Sequence, residues 1–272
     1  MSEKKVVLVT GSSSGNGQSI AQLLAQKGFT AFGTARNPSS VQTLPGVEVL
    51  PLDVCLGESV NACMNTLLKK AGRLDILVNN AGYTLGGAIE ETTLEQAKAQ
   101  FETNFFGVAR MVKAVLPIMR RQGNGQIINI SSLVGLVPSP LLGFYSASKF
   151  AMEGYTEALR HEVKPFQIRV SLVEPGLVKT NLVHNTQYGT DLVSDYDPYR
   201  QRITEALEKY LEKALGPSEV AECVLNVIES KSPKLRYTVG KDAARAFRLR
   251  RFLPESLFEQ GTRRFLHLDI KK

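Results

Sequence analysis

The sequence predicts an α/β fold: one doubly wound parallel sheet with helices on both faces. Three observations carry that expectation. Short valine-rich apolar runs alternate with helical patterns six times along the chain, as in repeated strand–helix–strand units. The first run leads straight into a glycine-rich turn and a helix. Every residue with evident chemistry falls at the C-terminal end of an expected strand or on the helix after it, where open α/β sheets bind ligands. The 272 residues, 43% of them hydrophobic, suffice for one large core. We expect a single domain over residues 1–240 and an appended helical tail over 241–272.

Lys5–Thr10 reads KVVLVT, which suits a strand buried on both faces. Thr10-Gly11-Ser12-Ser13-Ser14-Gly15-Asn16-Gly17 follows. A helical pattern comes next, with Ile20, Ala21, Leu23 and Leu24 on one face and Gly28 closing it. Strand, glycine turn and helix make a dinucleotide site. Gly11, Gly15 and Gly17 let the backbone approach a pyrophosphate, whose charge meets the helix N-terminus, with Ser12, Ser14 and Asn16 in the same loop. The spacing is G-x-x-x-G-x-G rather than the commoner G-x-G-x-x-G.

The second strand, Thr30–Ala35, runs into Arg36 with no carboxylate to hold ribose hydroxyls. A guanidinium matches a 2′-phosphate, so NADP(H) is expected over NAD(H), with Ser12 as a second donor. The plainer alternative is a solvated loop cation. The third strand, Val47–Leu52, ends at Asp53-Val54, where an adenine amino group would sit. A helix over about 58–71 and a fourth strand, Leu74–Val78, lead to Asn79-Asn80-Ala81-Gly82. Small residues there admit a cofactor, and an asparagine amide can tie neighbouring strands. Thr93–Gln122 reads as one long helix containing Asn104 and Gly107, apolar enough to cover the sheet and part of a partner subunit. The fifth strand, Gln126–Ile130, ends in Ser131-Ser132. A helix runs from Tyr145 to about Val163. The sixth strand, Arg169–Val173, precedes Glu174-Pro175-Gly176-Leu177-Val178-Lys179-Thr180.

Tyr145 and Lys149 stand one helical turn apart. A tyrosine titrates near roughly 10. An ammonium beside it favours the phenolate, so the pair can exchange a proton with a carbonyl or alcohol oxygen.

T-G-x-x-x-G-x-G, N-N-A-G, a serine thirteen residues before a tyrosine, Y-x-x-x-K and P-G occur in order in one chain. Across roughly 5–240 the sequence resembles the short-chain dehydrogenase/reductase family, and looks most like its hydroxysteroid and retinol dehydrogenase branch. The resemblance implies a Rossmann fold and hydride exchange between a nicotinamide and a hydrophobic alcohol or its ketone or aldehyde. It implies Tyr145 as general acid/base and Lys149 as its partner on the nicotinamide ribose. Ser132, chosen over Ser131 by the thirteen-residue spacing, would hold the substrate oxygen, and Asn104 would complete a proton relay. For the cofactor it implies Asp53 at adenine with Val54 and Asn80 beside it, Ala81 and Gly82 along its path, and Pro175, Gly176, Val178 and Thr180 at the nicotinamide. It further implies a substrate lid over about 177–216 and a homodimer or homotetramer. A non-catalytic NAD(P) sensor on the same fold is the alternative; such a protein has no use for Asn104, Ser132, Tyr145 and Lys149 together.

Composition excludes other classes. His161, His184 and His267 are scattered, so no metal site is expected. Cys55, Cys63 and Cys223 lack ligand spacing and suit reduced thiols. The polar N-terminus and the lack of a long apolar run suggest a cytoplasmic chain. Of the net charge of +7, residues 231–272 hold twelve Lys or Arg against four Asp or Glu. The body is near neutral, unlike a nucleic-acid binder. In the tail, arginines alternate with Phe and Leu. That suits either helices packed on the body or a neighbouring subunit, or a peripheral contact with an anionic membrane.

Overall fold

The computed structural model describes residues 4–179, 186–211 and 214–268. Seven parallel strands form one sheet: β1 (Val6–Val9), β2 (Thr30–Ala35), β3 (Val47–Pro51), β4 (Ile76–Asn79), β5 (Gly125–Ile130), β6 (Ile168–Pro175) and β7 (Arg236–Val239), in the order β3-β2-β1-β4-β5-β6-β7. The order reverses between β1 and β4, which opens a crevice at their C-terminal ends.

Strand alternation divides the core in two. Val6 and Leu8 face one layer with Phe32, Leu50, Ile127 and Val170, covered by α2 (Gly57–Ala71), α4 (Gly107–Gln122) and α5 (Gly143–Val163). Val7 and Val9 face the other with Ile76, Val78, Ile128 and Val173, covered by α1 (Gly15–Gln26) and α7 (Pro217–Glu229). Full burial on both faces explains the unbroken apolar runs.

The long helix expected over 93–122 is broken. α3 (Leu94–Phe101) passes into a π turn at Glu102–Phe106 before α4. β6 extends beyond Val173, because β7 pairs with it through Glu174↔Thr238 and Pro175↔Val239. Two further short strands, Leu85–Gly86 and Gln187–Tyr188, pair in parallel.

The chain after β6 carries α6 (Asp197–Leu211) and, past β7, the hairpin α8 (Lys241–Phe252) and α9 (Glu255–Phe265). Of the hairpin's two helices only Ala243 is buried. Phe265 meets Tyr210 of α6 edge-on at 4.5 Å.

Candidate active site

The loop between β1 and α1 is a backbone cradle. Gly11 and Gly15 hold φ of +67° and +57°, open to glycine at little cost. A Cβ on Gly11 would lie 2.8 Å from the Ala81 Cα, and one on Gly17 would lie 2.2 Å from the Gly11 carbonyl oxygen. Asn80 secures the loop: its Nδ2 donates to the Thr10 and Gly11 carbonyls at 3.0 and 2.9 Å. The Thr10 hydroxyl accepts from the amides of Asn80 and Ala81. Asn80 therefore shapes the cradle with its amide rather than presenting it to adenine. Ser14 is exposed at the N-cap of α1, and the buried Oδ1 of Asn16 lacks a hydrogen-bond partner among the described residues. Close-packed glycines and open amides at a helix N-terminus fit a pyrophosphate.

Two expected contacts are corrected. Ser12 is fully buried, and its hydroxyl donates to the Thr34 carbonyl at 3.3 Å. It packs on Gly33, where a Cβ would lie 2.2 Å from its Oγ, so it braces the loop on β2 and cannot reach a 2′-phosphate. Ser13 is exposed beside it, as Ser14 is, and is a position the sequence pattern did not single out. Val54 is buried in the core against Gly107, so its side chain faces away from the crevice. Arg36 is exposed just past β2. Asp53 is half-buried, and its Oδ1 accepts from the Cys55 amide at 2.9 Å.

Tyr145 lies in the first turn of α5 and Lys149 in the next. The Ser132 and Thr84 hydroxyls face the Tyr145 hydroxyl, whereas Ser131 is buried toward Glu153. Lys149 Nζ donates to the Ile130 carbonyl at 2.9 Å and stands 5.9 Å from the Tyr145 ring centroid. Burial pushes the tyrosine above its ordinary value, with Ser132 and Thr84 pulling against it. Burial also pulls Lys149 down to about 8, with Glu153 opposing. The expected lowering of the phenol by Lys149 is not seen in this arrangement: burial outweighs the Ser132 and Thr84 hydroxyls, which are the groups that pull the phenol down. Tyr145 stands as a protonated acid at neutral pH.

Asn104 sits in the π turn, a device concentrated at functional sites. Its Oδ1 accepts from the Tyr83 amide, and its Nδ2 donates to the Tyr83 carbonyl and lies 3.3 Å from the Ser148 hydroxyl. The side chain is committed to holding residues 82–83 against α5, and a Cβ on Gly82 would lie 2.9 Å from it. These bonds occupy the side-chain amide of Asn104, so a relay from this residue would run from its backbone. At the end of β6, Pro175 pairs with Val239 and Gly176 N–H donates to the Val239 carbonyl. Val178 is buried, bridging Leu215, which leaves its backbone, not its side chain, for a ligand. Thr180 lies outside the described residues.

Pattern reading missed an ion pair above this site. Glu91 is buried and accepts from the Ala88 and Val193 amides and from Arg200 Nη1 at 2.8 and 2.9 Å. Arg200 belongs to α6, so the pair fastens the segment after β6 to the loop after β4. Gln96 Nε2 adds a bond to the Tyr188 carbonyl. The β4 loop in turn abuts the start of α5, through Gly87 N–H to the Leu141 carbonyl. No signal in the sequence pairs residues so far apart. Among the described residues no cluster of three His, Cys, Asp or Glu is placed to hold a metal ion, and no helix is long and apolar enough to cross a membrane.

Comparison with known proteins places the chain in a family. A family model described as short chain dehydrogenase matches residues 5–190. A 3-ketodihydrosphingosine reductase of Bacteroides thetaiotaomicron is 39% identical over 266 residues, 97% of this chain and 98% of that protein. A short-chain dehydrogenase from Streptomyces avermitilis superposes with a TM-score of 0.83 at 33% identity, covering 99% of this chain and 100% of that one. ElxO, solved with NADP bound, superposes at 0.75 with 26% identity, covering 89% and 100%. A doubly wound sheet, a glycine cradle at its switch point and a tyrosine–lysine pair beside a serine make this chain an oxidoreductase that belongs to the short chain dehydrogenase family.

Proposed function

We propose that the protein is an NADP(H)-dependent reductase interconverting a hydrophobic ketone or aldehyde and its alcohol. One observation carries the reading: a partly buried Tyr145 hydroxyl kept protonated, facing Ser132, with Lys149 one turn behind it. A bound nicotinamide supplies the hydride. Tyr145 supplies the proton to the substrate oxygen, and Ser132 holds that oxygen while charge builds on it. Gly11, Gly15, Gly17 and Ser14 would hold the pyrophosphate, Arg36 the 2′-phosphate and Asp53 the adenine, with Pro175, Gly176 and the backbone of Val178 at the nicotinamide. The half-buried Tyr196 and Tyr199 and the exposed Tyr188 line the segment fastened above the site, which suits a bulky apolar substrate. The long-chain ketone named for the Bacteroides relative is of that class.

The test is NADPH oxidation against long-chain, steroid, retinoid and aromatic carbonyls, repeated with NADH. Arg36→Ala is expected to lower the NADPH preference by about tenfold to a hundredfold, the worth of a charge-assisted hydrogen bond. A wild-type preference for NADH refutes the phosphate assignment. Tight NADPH binding with no carbonyl turned over moves the reading to a sensor.

The enzyme we envisage is a cytoplasmic homodimer or homotetramer, with its three cysteines as free thiols. Phe106 and Phe150, exposed at the π turn and on α5, suit the subunit contact. For the tail, the hairpin favours a lipid surface over packing on the body. Phe252 is 77% and Leu257 54% exposed at its tip, ringed by exposed Arg245, Arg248 and Arg251. Apolar residues within a basic collar suit an anionic interface. Sedimentation with anionic vesicles at low salt is expected to carry the protein down, and Phe252→Ser to release it.

A further inference from the structure

Behind Lys149, away from the crevice, lies a charge cluster that the chemistry above does not use. Glu153 is one turn further along α5 and is buried. Glu174 is fully buried at the end of β6. Between them reaches Arg236 of β7, with its Nε 3.1 Å from Glu153 Oε2 and 3.4 Å from Glu174 Oε1. Its Nη2 meets the exposed Glu157 at 3.0 Å. Ser131 and Lys149 complete the surroundings. A Cβ on Gly135 would lie 2.9 Å from Ser131 Oγ, 3.1 Å from Lys149 Cβ and 3.3 Å from Glu153 Cγ. From α7, Cys223 faces Glu174 as a neutral thiol, burial having pushed it up to about 11.

The balance of charge here is informative. Two buried carboxylates meet one guanidinium that is itself partly drawn off by Glu157. Among the described residues no hydrogen bond is closed to either Glu174 oxygen, which has Arg236 Nε at 3.4 Å from Oε1, or to Glu153 Oε1, although the Ser131 hydroxyl faces Glu153. Two adjacent carboxylates cannot both stay ionised in such a site. A proton on Glu174 that faces Glu153 supplies the missing donor and leaves one negative charge, on Glu153, a single turn from the lysine.

We propose that Glu153 and Glu174 share one proton behind the active site, and that the resulting anion on Glu153, clamped by Arg236, is a positioning device that keeps Lys149 an ammonium at its station on the Ile130 carbonyl. The energetics run the same way. Burial raises Glu174 to about 8 and also raises Glu153, while Glu153 opposes the desolvation of Lys149. The proposal takes Lys149 as the site lysine of the reductase described above.

Two measurements test it, and neither needs a substrate, so its failure is distinct from failure of the reductase reading. Infrared spectroscopy of the folded protein at pH 7 is expected to show a buried carboxylic-acid carbonyl band that Glu174→Gln removes. Titration of the 13Cε-lysine-labelled protein by NMR, with Lys149→Met assigning the resonance, is expected to give Lys149 a midpoint near 8. That midpoint falls by about one pH unit in Glu153→Gln, and stays in place in Glu174→Gln and in Glu153→Asp, which retains the charge. Absence of the band, or a Lys149 midpoint that does not move in Glu153→Gln, overturns the proposal.

Discussion

Replacing Tyr145 with Phe is expected to cut kcat for carbonyl reduction by about 10²–10⁴-fold, the usual worth of a positioned proton donor, while dinucleotide affinity changes little. The substitution removes one oxygen. The hydroxyls of Ser132 and Thr84 that face it remain, but an alcohol is far too weak an acid to replace a phenol at neutral pH. Lys149 cannot step in, since its Nζ is held on the Ile130 carbonyl. The pH dependence follows from the same environment. Tyr145 is raised by burial, so its acid form persists through the neutral range. Lys149, pulled down to about 8, loses its charge first as pH rises. The wild-type rate is therefore expected to hold through neutrality and to fall above about pH 8. Stopped-flow or steady-state assays of both proteins from pH 6 to 10 check this. A Tyr145→Phe variant retaining more than about a tenth of wild-type kcat would remove the tyrosine from the chemistry.

Much of this framework was readable from residues alone, for a physical reason. A strand buried on both faces is mostly apolar, so β1, reading VVLV, announces itself, while β2 and β5 keep an apolar majority around the buried Thr34, Gln126 and Asn129; β2 has the bounds the sequence predicts, Thr30–Ala35. Glycines forced by close backbone approach, such as Gly11 and Gly17, are equally legible because no other residue fits. Side-chain direction is not. Ser12 and Ser13 are adjacent in sequence, yet one is buried on β2 and the other is exposed. The polar strand β7 has no apolar run to betray it, since three of its four residues are only half-buried at the sheet edge. The π turn at Asn104 has no composition signal, and the ion pairs of Glu91 and Arg236 join residues set together only by the finished topology.

Glu91→Ala is expected to be among the most damaging single changes outside the catalytic set. The carboxylate accepts from two backbone amides and a guanidinium across 109 positions of sequence, from Arg200 back to Glu91. Truncation strands the Ala88 and Val193 amides and leaves Arg200, whose side chain is 26% exposed, with Asp197 and the Val193 carbonyl as its partners among the described residues. Breaking a buried pair from one side costs about 3–5 kcal/mol. Water reaching Arg200 places this case near the lower figure, about 3 kcal/mol, or a fall in Tm of roughly 6–12 °C for a domain of this size. Burial alone would raise Glu91, but the Val193 amide, Arg200 and the Ala88 amide outweigh it and hold the carboxyl below its usual range. A lowered carboxyl stabilises the fold above its unfolded pKa and loses that contribution as pH falls through the folded one. The gap between wild type and variant should therefore be full at neutrality and close in acid. Because the pair fastens α6 and the segment after Thr186 to the β4 loop beside α5, the variant is also expected to raise KM for the carbonyl substrate more than it lowers kcat. The Kd for the nicotinamide dinucleotide, which in the proposed function the cradle on the other side of β4 would set, should stay near wild type. Thermal denaturation across pH 4–8, with KM and Kd measured below the transition, separates these outcomes. An unchanged KM in the destabilised variant would show that the ion pair supports the fold without shaping the substrate site.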